Sequence, residues 1–267
     1  MPDNIILFPD FEELKNGVEK MRTEASMLLL ERDELQFVIC KNIETKYMLE
    51  LGAIEYRAYQ AQCKALRLKR KIDLIQAKKN RQEKINLSVI EMVLDEEFAE
   101  YQKQLEEQMR KMNEAIKRSN AELLSEAETR ELKKLYRKIV KALHPDIHPD
   151  AIEAEKELLE QAMTAYKDGD LDTLRVLAAM VGNDPLLVKQ TDAMTQLMEE
   201  KKRLERTIKR IGESIAKIKS EFPYTMKEIL DDPEKTENEK RMLEKIREQY
   251  QELILIYQEK IKEMLRV

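Results

Sequence analysis

The chain has two histidines, and both lie in one short stretch where they alternate with acids: His144-Pro145-Asp146-Ile147-His148-Pro149-Asp150. Imidazole can donate or accept a hydrogen bond, carboxylate accepts, and proline fixes the backbone between them. Such a segment supports three chemistries: a turn that caps a helix, a rigid recognition tip, or a divalent-cation site if the four side chains fold toward one point. Alternation in a proline-stiffened loop does not by itself converge four ligands. The cysteines, Cys40 and Cys63, form no CxxC pair and supply neither a zinc set nor a disulfide framework. Neither cysteine has an adjacent histidine base, and the five glycines include no GxGxxG or GxxxxGK[ST] phosphate cradle. The expectation is therefore a binding protein with no catalytic residues, no metal and no cofactor of its own.

The elements that must hold this stretch are helices. Between Asp10 and His144 there is no proline, which favours long helices over the punctuated loops of an α/β enzyme. Apolar residues recur at four-three spacing from Leu14 through Val18, Met21, Ala25, Leu28 and Leu35 to Ile39, interrupted by Arg32. A second stripe runs from Leu87 to Ile116, and the polar segment at residues 78–85 predicts a turn or an exposed extension between two antiparallel arms; a continuous dimeric coil fits the same pattern. Helices are also predicted over 126–143, 151–166 and 171–181, with Asp168-Gly169-Asp170 ending the second and Gly182-Asn183-Asp184-Pro185 the third. Near the C-terminus the stripes Leu204–Phe222 and Leu243–Tyr257 flank a segment with two prolines, which predicts a helical hairpin. Its tip residues Phe222, Tyr224, Met226, Ile229 and Leu230 read as a hydrophobic plug or as a partner-binding loop.

Charge is abundant and nearly balanced: 48 Lys and Arg oppose 53 Asp and Glu, a net of -5, so no global field concentrates nucleic acid or anionic lipid. A protein partner is expected, with no specific nucleic acid and no membrane insertion, and the cytoplasm as location, since no basic leader or long apolar run is visible. Locally, the 126–143 helix places Leu132, Leu135, Tyr136, Ile139 and Leu143 on one side and Lys134, Arg137, Lys138 and Lys141 on another. That basic face reads either as a solvated helix surface or as a docking surface beside the helix break.

The segment ELKKLYRKIVKALHPD at Glu131–Asp146, followed by LLEQAMTAYKDGDLDTLRVL at Leu158–Leu177, resembles the J-domain family of co-chaperones that engage Hsp70 proteins. Its first part looks like the family's second helix leading into the HPD signature, its second like the third helix with an Ala-Tyr pair at Ala165 and Tyr166. The resemblance implies stimulation of an Hsp70 ATPase, with His144, Pro145 and Asp146 indispensable and Lys134, Arg137, Lys138 and Lys141 docking to the partner, which would bind the ATP. The family's short first helix with its Tyr-x-x-Leu-Gly ending is not recognisable, and Leu143 and Leu159 stand where Tyr and Phe are usual.

The expected organisation is all-α: helical arms over 1–120, an antiparallel coiled coil; a J-like domain over 121–182; and an antiparallel helical hairpin over 183–267. The expected function is that of a J-domain co-chaperone whose arms serve a client, an adaptor or a homodimer. The alternative is a coiled-coil scaffold whose J-like module does not stimulate Hsp70. The first reading requires the 144–146 turn to be held out beside the basic helix.

Overall fold

The computed structural model describes residues 9–120, 124–181 and 194–266, and every regular element among them is helical. Residues 1–8, the start of the expected J-like domain at 121–123, and the exit expected at Gly182–Pro185 lie outside the described residues. The chain forms two compact units, each assembled from distant stretches of sequence: residues 1–41 with 122–225, and residues 42–121 with 226–267.

In the first unit, α1 (Pro9–Glu34) packs along α9 (Met194–Ser220). Val18 and Ala25 meet Leu204, while Leu29 and Leu35 share a core with Ile211 and Ile215. Arg22 reaches Glu200 at 3.3 Å and Lys219 reaches Glu31 at 2.8 Å, so the two helices run parallel. After α1 the backbone widens into a π-helical turn, Leu35–Ile39, which brings Phe37, Val38 and Ile39 against the same core.

Three helices complete that core. The first, α6 (Glu126–Leu143), begins at Ser125, whose hydroxyl accepts from the Glu128 amide while the Glu128 carboxylate accepts from the Ser125 amide, a reciprocal cap. It stops before Pro145. The chain turns over residues 144–152 and returns along α6 as α7 (Glu153–Asp168). Gly169, with φ +74°, adopts the left-handed conformation that ends α7. Asp170 then caps α8 (Leu171–Met180) by accepting from the Thr173 amide. Leu132, Ile139, Val140, Leu159, Ala162 and Leu174 are buried among these helices.

The second unit contains α2 (Cys40–Tyr47) from Asn42 onward, a π-helical turn at Met48–Gly52, and α3 (Ala53–Asn80). A turn follows, as the polar 78–85 segment predicts, and Asn86 caps α4 (Leu87–Glu97). The α4 helix brings Glu91 and Asp95 to Arg67 of α3, and after a break at Phe98, α5 (Ala99–Ser119) continues in the same direction until Arg118 reaches Asn42. These pairs define an antiparallel arrangement. A short helix, α10 (Lys227–Leu230), precedes α11 (Pro233–Leu265), which begins with Asp232 as cap and Pro233 in its first turn. It lies along α3, with Lys240 paired to Glu50 and Ile254 packed on Ala61 and Ala65, whose small side chains let the helices approach.

This pairing corrects the expected hairpin over 183–267 and the expected self-contained arms over 1–120. The apolar stripe of α9 is covered by α1, and that of α11 by α3. Only the 42–80 part of the N-terminal arm folds against 87–119. Four stripes of similar spacing each require a helical partner, but the spacing does not encode which partner.

Candidate functional site

The site is the break at the end of α6. His144 leaves helical geometry (φ -68°, ψ 125°) while its amide still donates to the Val140 carbonyl at 3.0 Å. The Ile147 and His148 amides both donate back to the His144 carbonyl, at 2.9 and 2.8 Å, closing a tight turn. Ile147 plugs the core and fixes the turn's inner side.

Within the turn, the Asp146 amide donates to His144 Nδ1 at 3.1 Å, so the neutral ring carries its proton on Nε2. His144 is only 8% exposed. Burial holds its pKa below the usual imidazole range; Asp146 and Asp33 oppose that effect, and Arg32 and Arg210 reinforce it. Pro145 is half-buried. The Asp146 carboxylate accepts from Arg210 Nη2 at 2.7 Å, and its backbone carbonyl accepts from Arg203 Nη1 at 2.8 Å. Arg203 is held from behind by a two-pronged pair to Glu200 at 2.7 and 2.8 Å, and Glu200 also receives Arg22 of α1. The turn is thus gripped by α9. The turn lies beside the basic helix with its imidazole packed inward and Asp146 covered on one side, while Pro145 and Asp146 remain partly exposed.

Lys134, Arg137, Lys138 and Lys141 are all exposed on α6, as the helical period predicts. Lys138 donates to the Ala178 carbonyl at 3.0 Å, satisfying an otherwise open acceptor at the end of α8. Lys133 faces α1, where it pairs with Glu34. The His148 ring shares a 2.9 Å hydrogen bond with the Lys141 carbonyl. Among the described residues no three His, Cys, Asp or Glu side chains converge as metal ligands. Cys40 and Cys63 are buried and form no disulfide, and burial pushes the Cys63 thiol up, away from the reactive thiolate.

Behind the turn lies a polar network that residue spacing did not suggest. Asp33 is 1% exposed, accepts from the Tyr136 hydroxyl at 2.7 Å, and takes two hydrogen bonds from Arg32 at 2.9 and 2.6 Å. Tyr136 stacks on Tyr166 with ring centres 4.1 Å apart and planes 7° from parallel. Burial, reinforced by the nearby acids Glu34 and Asp33, pushes the Tyr166 hydroxyl up to about 12. The sequence signals for this network were Arg32 interrupting an apolar stripe and Asp33 beside it; for Arg203 and Arg210, the signal was their seven-residue spacing, which aligns them on one helical face.

This arrangement can hydrogen-bond and ion-pair with a protein through Asp146 and through the cations of α6. No helix among the described residues is long and apolar enough to cross a membrane. Comparison with models of known families, with curated proteins and with solved structures finds no match to this chain.

Proposed function

We propose that this chain is a J-domain-type co-chaperone of the cytoplasm, which engages an Hsp70 through His144, Pro145, Asp146 and the basic face of α6 and accelerates ATP hydrolysis by that partner. The observation that carries this reading is the placement of the His-Pro-Asp turn at the C-terminal end of an amphipathic helix with four exposed cations, Lys134, Arg137, Lys138 and Lys141, and with a second helix returning along it. In this reading α6, the turn and α7 form the J-like core. Leu29, Leu35 and the π-helical turn after α1 pack on that core and supply apolar surface that a first helix of the module would otherwise provide. The cations orient the encounter, and the turn supplies the specific contact.

The scaffold alternative, in which the J-like module no longer stimulates Hsp70, draws on a different observation. The Asp146 carboxylate already has a partner in Arg210, and His144 is buried.

Single-turnover ATP hydrolysis by an Hsp70, measured with increasing excess of the full chain, separates the two. The co-chaperone reading expects a saturable increase that Asp146→Asn abolishes. Equal stimulation by both proteins overturns the mechanism assigned to the His-Pro-Asp turn, and no stimulation by either at saturating excess overturns the co-chaperone reading in favour of the scaffold.

A further inference from the structure

Three features of the turn stand together. Arg203 and Arg210 lie seven residues apart on α9 and bind the same residue, one at the backbone carbonyl of Asp146 and the other at its carboxylate. Arg203 is oriented by Glu200, which is tied across to Arg22, so the grip is anchored on the α1–α9 pair rather than on a loose side chain. Within the turn itself, His144 Nδ1 accepts from the Asp146 amide and the ring is buried.

We propose that Arg203 and Arg210 form an autoinhibitory latch: they hold the 144–146 turn closed, and a protein that reads this turn must displace them. The proposal rests on the co-chaperone reading for the identity of that protein. Arg210 occupies Asp146 Oδ1 and already neutralises part of its charge, so a cation of a partner competes with Arg210 for the same carboxylate.

The strength of the contact suits a latch. Side-chain exposure is 65% for Arg210 and 25% for Asp146, so water and salt reach the pair. An ion pair this exposed shifts an equilibrium by up to about fivefold, which is enough to raise the concentration of partner required without preventing binding. The arginines are also not what fixes α9. Leu204, Ile211 and Ile215 are buried in the first unit's cores, so the helix keeps its place when the latch is removed. A contact needed only for stability would gain little from two solvent-reached arginines on one aspartate beside such a seam.

The test compares the full chain with Arg203→Ala/Arg210→Ala and with Arg210→Gln alone, the latter leaving Arg203 anchored; helix content by circular dichroism reports that each remains folded. Hydrogen exchange at the Ile147 and His148 amides reads the latch without any partner. The expected result is about fivefold faster exchange in the double variant and a smaller increase in Arg210→Gln; unchanged exchange overturns the latch. With an Hsp70, the concentration giving half-maximal ATPase stimulation is expected to fall about fivefold in the double variant. An unchanged half-maximal concentration, with stimulation still abolished by Asp146→Asn, overturns the latch and leaves the co-chaperone reading standing. Faster exchange with no stimulation by any variant supports the latch as a closing contact and overturns the co-chaperone reading.

Discussion

Tyr136 donates its hydroxyl hydrogen to Asp33 across 103 residues of sequence, and the acceptor carboxylate is almost wholly removed from water. This bond ties the helix that carries the basic face to α1. A buried carboxylate that loses a donor retains its desolvation cost without compensation. Tyr136→Phe is therefore expected to destabilise the first unit by about 1–3 kcal/mol, seen as a lower urea midpoint. In an Asp33→Asn background the same substitution should cost less, because no buried charge is left with a missing donor. Equal costs in the two backgrounds would show that the bond contributes nothing specific.

Protonation of His144 gives a second expectation. Burial depresses its folded-state pKa, so above about pH 7.5 the ring is neutral whether the chain is folded or unfolded and contributes no pH dependence. As pH falls through the unfolded value, the unfolded chain takes up a proton that the folded chain resists. Stability then falls, by at most about 1.4 kcal/mol per pH unit from this group, until the folded pKa is reached. Imidazole NMR titration checks it directly, because His148 is the only other histidine. The His144 resonance should titrate below the usual imidazole range, and His144→Asn should flatten the stability profile between pH 7 and the folded pKa.

The basic face should act on encounter rather than on folding. Lys134→Glu with Arg137→Glu reverses two exposed charges and leaves the Lys138 contact with α8 intact. Association with an Hsp70 at low salt is expected to slow about tenfold, with the difference shrinking as salt is added and the melting temperature nearly unchanged. Stopped-flow rates that do not respond to the reversal would remove this face from the interface.

Salt should loosen the turn. Raising ionic strength from about 0.05 to about 0.5 M shortens the screening length severalfold and weakens the Arg210–Asp146 pair. Exchange at the Ile147 and His148 amides should accelerate in the native chain and stay nearly flat in Arg203→Ala/Arg210→Ala. Parallel salt responses in the two proteins would assign the effect to general softening of the fold.

How much of this was legible before the structure depends on the range of the physics involved. The bounds of α6 could be read because their causes are local: the Ser125–Glu128 cap at one end and Pro145 two residues past the other. Gly169 and Asp170 likewise marked the α7–α8 junction within a few residues. The exposed placement of Lys134, Arg137, Lys138 and Lys141 followed from helical period alone. The partners of the long helices could not be read this way, because the stripes on α1, α3, α9 and α11 present similar spacing and any pairing buries apolar surface. Arg203 and Arg210 were hidden for a related reason. They belong to a run of basic residues from Lys201 to Arg210 that looks like a solvated surface, and only the fold brings them to Asp146, 57 and 64 residues away in sequence.

The parallel pairing of α1 with α9 has a consequence for synthesis. A chain growing from its N-terminus releases the His-Pro-Asp turn from the ribosome before the segment bearing Arg203 and Arg210 has been made. During that interval the apolar face of α1 also waits uncovered for a mate that is still untranslated. The nascent protein therefore passes through a stage in which the turn is open, and closure becomes available only as translation nears the end of the first unit.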